Sequence, residues 1–142
     1  MIRPICSTDF HEVLEIEAQA APKSRYGLWE LWRLYLRYPR TFLVAVSQRI
    51  DGYIVFSPDG HVISMVVRPQ RRRCGIGTRL IQRAIADCAG RPLRLEVREG
   101  NLGAQKFYRS LGFRTSKRLR CYYHDGEDAL LMVRPVSNNG QT

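Results

Sequence analysis

Cysteine is scarce and scattered in this chain. Cys6, Cys74, Cys88 and Cys121 show no C-x-x-C spacing, which argues against a zinc site and against a disulfide framework. Free, mostly buried thiols are the expectation. The three histidines, His11, His61 and His124, lie far apart. No metal site is expected from them, and surface or turn positions account for each. No apolar run approaches the ~18 residues of a membrane span. The opening Met1-Ile2-Arg3-Pro4-Ile5 lacks the apolar stretch of a signal peptide, so a cytoplasmic location is expected. Internal repeats and low-complexity blocks are also missing. Acidic residues are outnumbered, 13 against 23 Lys and Arg, for a net charge of +10. The excess is uneven: residues 1–40 hold 6 basic and 5 acidic side chains, residues 41–142 hold 17 and 8. Such a surface attracts polyanions, and charge alone does not choose among nucleic acid, ribosomal RNA, an acidic peptide and a phosphorylated cofactor. An RNP-type aromatic motif, a zinc finger and a basic recognition helix are all lacking, which leaves a basic nucleic-acid-binding module as a distant alternative.

What is present is a chain of 142 residues, long enough to bury a core as one domain. That domain is expected over residues 1–136, with a frayed polar tail at 137–142. A first helix should start near Thr8 or Asp9, where Asp9 and Glu12 have the spacing of a capping box. Leu28, Leu31, Trp32, Tyr35 and Leu36 recur at helical spacing over residues 28–37, and Pro39 ends that helix. The period then changes. Residues 41–47, 53–57 and 62–67 are rich in β-branched and aromatic side chains, and Asp51-Gly52 and Pro58-Asp59-Gly60 read as the turns between them. A third helix opens at Gly75-Ile76-Gly77 and buries Leu80, Ile81, Ala84, Ile85 and Cys88. Residues 93–98 alternate as a strand. Asn101 caps a fourth helix that Gly112 terminates. Strands at 114–123 and 129–134 flank the turn His124-Asp125-Gly126. The order α-α-β-β-β-α-β-α-β-β predicts an α/β (α+β) fold, a mixed and mostly antiparallel sheet with helices on its faces.

The most informative stretch runs from Val66 to Thr78. A strand ends, a basic turn with Gly75 and Gly77 follows, and a helix begins. Backbone amides at a helix start are unpaired and the helix dipole adds positive charge, so this is a phosphate site in waiting. The Lys of a Walker loop is absent, and Leu80 stands where a dinucleotide fingerprint needs its last glycine. The pattern that remains is R-x-x-G-x-G on Arg72, Gly75 and Gly77.

That pattern resembles the coenzyme A loop of the GNAT N-acetyltransferase family. Downstream, Leu95-Glu96-Val97-Arg98, then Asn101, then the run from Lys106 through Tyr108 to Phe113 resemble the next block of that family. The run Cys121-Tyr122-Tyr123-His124-Asp125-Gly126-Glu127-Asp128-Ala129 is similar to the hairpin of its protein N-terminal acetyltransferases, nearest the RimI type that acts on a ribosomal protein. The likeness covers residues 61–134; residues 1–60 fit only in element order. It implies the GNAT fold, acetyl-CoA as acyl donor and an amine as acceptor. The backbone of Met65, Val66 and Val67 should line the acetyl-pantetheine arm. With Arg72 as part of the same cofactor-binding loop, amides from Arg73 through Cys74, Gly75, Ile76 and Gly77 to Thr78 should hold the pyrophosphate, and Asn101 should contact the cofactor. Glu96 should act as general base and Tyr108 as general acid, with Tyr122 and Tyr123 at the acceptor groove.

The residue types suit that chemistry. An α-amine with pKa ~8 is roughly one-tenth neutral at pH 7, whereas a lysine with pKa ~10.4 is neutral in well under one part in a thousand. A modest base such as Glu96 therefore serves an N-terminus. Arg94 and Arg98 share its strand face and are expected to hold its carboxyl ionised. Glu127 and Asp128 should add negative charge that welcomes an ammonium. The basic run Arg71-Arg72-Arg73 can serve the cofactor's 3′-phosphate, ribosomal RNA or neither. A protein α-amine is the favoured acceptor and the ribosome a possible partner; a small amine or a lysine side chain is the alternative.

Overall fold

The computed structural model describes residues 1–23 and 25–136; the expected tail at 137–142 lies outside them. Among the described residues the elements run β1 (Ile2–Pro4), α1 (Phe10–Ala20), α2 (Leu28–Arg37), β2 (Phe42–Val46), β3 (Ile50–Phe56), β4 (Val62–Val67), α3 (Ile76–Asp87), β5 (Leu93–Arg98), α4 (Leu102–Ser110), β6 (Arg114–Leu119) and β7 (Ala129–Arg134). The strands form two antiparallel sheets, ordered β1-β2-β3-β4 and β5-β7-β6. They meet where β4 and β5 run parallel. A single bridge pairs His61 with Arg94, and the Arg94 amide donates to the Gly60 carbonyl at 2.9 Å. Beyond that bridge the two strands part.

Each face of the sheet has its own core. One is built by α3 and α4 on Leu43, Ile54, Phe56, Leu95, Val97 and Met132. The other is built by α1 and α2 on Phe42, Val44, Tyr53 and Val55. β3 is buried along its whole length, because both its faces are covered. β5 alternates, with Leu93, Leu95 and Val97 turned to the α3–α4 core and Arg94, Glu96 and Arg98 turned the other way. Leu31 is the fully buried anchor of α2, worth roughly 1.5–3 kcal/mol. Trp32 and Tyr35 add edge contacts to Phe10, centroids 4.8 and 5.6 Å away.

Several expectations need correction. The three-residue β1 was not anticipated; it adds an edge to β2 through Ile2–Ala45, Arg3–Val44 and Pro4–Leu43. No capping box joins Asp9 to Glu12. A 3-10 turn over Ser7–Asp9 precedes α1, so Asp9 already has helical backbone angles and reaches back to the Cys6 amide at 2.8 Å. Glu12 accepts from the Ile50 amide at 2.9 Å instead. Asp51-Gly52 is not a turn. Gly52 lies mid-strand between Ala45 and Val67, and the chain turns earlier, at residues 47–49. β6 stops at Leu119, so Tyr122 and Tyr123 lie in the connection and not in a strand. Of the four thiols, all free, only Cys88 is buried; Cys6, Cys74 and Cys121 are exposed.

Candidate active site

The glycine turn is held from behind. Arg68, at the end of β4, is 2% exposed, and its guanidinium donates twice to the Ile50 carbonyl at 3.0 and 2.9 Å. Its amide donates to the Asp51 carbonyl at 2.7 Å, and Arg71 faces the Asp51 carboxylate at 3.3 Å. Arg71 is thereby tied to the body of the protein, and Arg72 and Arg73 are left exposed. A 3-10 turn over Pro69–Arg71 carries the chain to Gly75, which precedes α3 in the left-handed region at φ +78°. Nothing lies within 4 Å of where its Cβ would be. The first α3 bond at this turn runs from the Arg79 amide to the Gly75 carbonyl, so the amides of Ile76, Gly77 and Thr78 open onto that free space without intrahelical partners. Donors at a helix start, flanked by two arginines, fit a diphosphate. This is the part of the chain that suits coenzyme A.

Where β4 and β5 part, a cleft of about 560 Å³ opens. Met65 and Val66 line one wall, Glu96 and Val97 the other, and Asn101 and Tyr108 close one end. The cleft passes between the two cores: Tyr108 belongs to the α3–α4 side, whereas Glu96 points from the other face of β5. A donor held along α3 and an acceptor entering beside α1 and α2 would meet in this slot. Asn101 caps α4, its side-chain oxygen accepting from the Ala104 amide at 3.1 Å, which leaves the amide nitrogen as the group it can offer a ligand.

Glu96 has partners that its strand neighbours do not supply. His61 Nε2 lies 2.8 and 3.1 Å from its two oxygens, and the Tyr122 hydroxyl donates to it at 3.2 Å. His61 was expected to be incidental; it forms this pair instead, because the bridge to Arg94 sets it beside β5. Arg94 and Arg98 each have acidic partners of their own. Arg94 lies 3.6 Å from Asp59, and Arg98 binds Asp125 at 2.9 Å and Glu127 at 2.8 Å. Arg98, shared with Asp125, holds the Glu127 carboxyl below the usual range, while Asp128 takes the Cys121 amide at 2.9 Å.

Tyr108 packs edge-on against Phe107 and Phe113, and burial pushes its phenol well above the ordinary value. It keeps its proton under any working condition. Tyr123 lines the cleft under the Arg98 guanidinium, 4.0 Å from its ring centroid; burial raises its phenol to about 12. A second carboxylate was not recognised as part of this region. Glu17, on α1, is 1% exposed and contributes to the same cleft. The Tyr26 amide donates to one of its oxygens at 2.9 Å, and the Tyr53 hydroxyl donates to the other. Burial raises its pKa, and no cation pairs with it among the described residues.

The sequence model of the acetyltransferase (GNAT) family matches residues 7–113. The chain belongs to that family. This GNAT acetyltransferase is 42% identical over 148 residues to an N-alpha-acetyltransferase of Saccharolobus solfataricus, the match covering 90% of this chain and 88% of the relative. Its fold superposes on the crystal structure of Ard1 from Thermoplasma volcanium with TM-score 0.87 at 30% identity, covering 96% of this chain and 97% of that one. It also superposes on the ribosomal-protein-S18-alanine N-acetyltransferase of Escherichia coli with TM-score 0.80 at 25% identity, covering 100% and 97%. Acetyl-CoA is the acyl donor of this acetyltransferase. No described helix is long and apolar enough to cross a membrane, and no group of side chains that could hold a metal occurs among the described residues.

Proposed function

We propose that this GNAT acetyltransferase modifies the N-terminal α-amine of proteins. The observation that carries the reading is the placement of Glu96. It lies in the slot between β4 and β5, on the face open to α1 and α2, with His61 and Tyr122 hydrogen-bonded to its carboxylate. Tyr108 sits at the same slot from the opposite face. The likeness to an enzyme named for N-α-acetylation supports the same acceptor.

The bound thioester supplies an activated acetyl carbonyl. The residues do the rest. Glu96 takes the proton from an amine that is already partly neutral, and a carboxylate is basic enough for that task. His61, within reach of both carboxylate oxygens, offers a route for the proton away from the slot. β4 is paired on one side only above His61, so amides on its open edge, near Val66, can receive the developing negative charge on oxygen. Tyr108, held protonated by burial, donates to the departing sulfur. Met65, Val66 and Val67 lie alongside the donor's arm, and Arg72 and Arg73 flank its phosphates. Tyr122 and Tyr123 border the entry of the peptide. A cytoplasmic site of action and an encounter with ribosomes complete the reading. They are supported by the basic charge of residues 41–142 and by the likeness to an enzyme named for a ribosomal protein.

The test is a panel assayed for thiol release with acetyl-CoA: peptides with free N-termini, an N-blocked peptide containing lysine, and a polyamine. Turnover confined to free N-termini is expected. Turnover of the blocked lysine peptide or the polyamine alone would overturn the acceptor assignment.

A further inference from the structure

The geometry points to a receptor for the substrate's ammonium group, built from Ser64 and oriented from below by Tyr53 and Glu17. This inference rests on the α-amine reading above. Ser64, on β4, lines the cleft and is partly exposed. Its hydroxyl lies 3.1 Å from the Tyr53 hydroxyl, and the Tyr53 hydroxyl donates to the Glu17 carboxylate. Tyr53 is fully buried and Glu17 is 1% exposed.

The direction of this chain of hydrogen bonds follows from counting protons. A phenol has one hydrogen, and the one on Tyr53 goes to Glu17. Glu17 can only accept while ionised, and both its oxygens do so, one from Tyr53 and one from the Tyr26 amide. The Tyr53 oxygen must then accept from Ser64, and the Ser64 hydrogen points down into the protein. What Ser64 turns to the cleft is lone pairs alone. An ammonium has only donors to offer, and its partner here is backed by a carboxylate that no cation neutralises among the described residues. Hydrogen bonds of this kind, in line with a buried charge, polarise one another.

The position is the right one for an incoming amine. Ser64 is three residues along β4 from the His61–Arg94 bridge, and Glu96 is two along β5 from the same bridge. Because the strands run parallel, the two side chains stand at neighbouring levels on facing walls. The Tyr26 phenol feels both Glu17 and Glu96, after its own burial, as charges that push its pKa up, so the two carboxylates act on one shared space. Ser64 receives and orients the nitrogen; Glu96 removes its proton. Ser64 is therefore a positioning residue, and the pair of walls selects a charged amine over a neutral end of the same shape.

The experiment compares a free-amine peptide with its des-amino counterpart, in which hydrogen replaces the amine, both binding to enzyme saturated with coenzyme A. Acetylation of the free-amine peptide by the wild type is read first. Its failure would sink the acceptor assignment itself, whereas the variants below test the receptor alone. Wild type should prefer the amine by about tenfold or more. Ser64→Ala should remove most of that preference and raise KM for the peptide, leaving KM for acetyl-CoA unchanged. Tyr53→Phe should act in the same direction, and the double variant should be no worse than the stronger single one, since both cut one chain. If Tyr53→Phe does not fold, Glu17→Gln takes its place. An unchanged amine preference in Ser64→Ala, or effects of the two substitutions that multiply, would overturn the proposal. A structural role for the trio would lower thermal stability without moving the amine-to-des-amino ratio.

Discussion

At the scale of single residues, chemistry and stability pull on different carboxylates. Glu96 is bonded by His61 and Tyr122, and its replacement by Gln keeps the shape while removing the base. A fall in kcat of about 10²-fold or more is expected, with acetyl-CoA affinity retained. Tyr108→Phe keeps the ring between Phe107 and Phe113 and removes only the proton donor, so a similar fall in kcat without a change in melting temperature is expected. Stopped-flow thiol release and calorimetric titration read both, and unchanged turnover in the two variants would remove these roles. Glu17 is the opposite case. Burial raises its folded pKa above the unfolded value. Between those values the folded chain holds a proton that the unfolded chain has lost, so stability declines as pH rises through that window. Glu17→Gln does not titrate. Its melting temperature relative to wild type should therefore climb as pH rises above the unfolded value of about 4 and through the raised folded value; a difference that stays flat or declines would contradict the assignment. A charge that lowers stability while serving a site is a familiar trade.

Among the elements, the joint between β4 and β5 deserves its own test because every part of the slot is placed by it. Gly60 has φ +108°, and a Cβ there would lie 2.2 Å from the Pro92 carbonyl oxygen. Gly60→Ala must therefore open the joint or distort it. A loss of ~3 kcal/mol or more, read as a drop in melting temperature of roughly 10 °C, is expected, together with a loss of activity larger than the unfolded fraction explains. The elements also show what a linear reading can reach. The bounds of α2, β4, β5 and β7 were legible because each carries its own period or is bracketed by turn residues. Three residues of β1 carry no period, and only the β2 partner makes them a strand. The glycine turn, Glu96 and Tyr108 were legible because their pattern is local and resembles a family. His61 and Glu17 were not: each meets its partner only across 35 or 36 residues of sequence, through strand pairing and helix packing that no local pattern encodes.

For the whole molecule, the charge distribution sets the encounter. The net +10 is carried almost entirely by residues 41–142, the part that builds the slot and the phosphate turn. Counter-charges are used locally. Arg98, Arg118 and Arg94 face acidic partners, whereas β6, exposed along nearly its whole length at the edge of its sheet, also carries Arg114 and Lys117. A basic edge also guards against strand-to-strand aggregation, so charge there is not by itself evidence of a partner. The ribosome reading is separable from that role by salt. Attraction to a polyanion that neutralises several phosphates weakens by orders of magnitude between about 50 and 200 mM salt. Co-sedimentation with ribosomes should follow that steep decline, and reversing Arg114 and Lys117 to Glu should reduce it at low salt while leaving turnover of a short free-amine peptide unaltered. Co-sedimentation that is absent at low salt, or that ignores both salt and the reversed charges, would leave β6 with its protective role alone and would confine the enzyme to acceptors met in free solution.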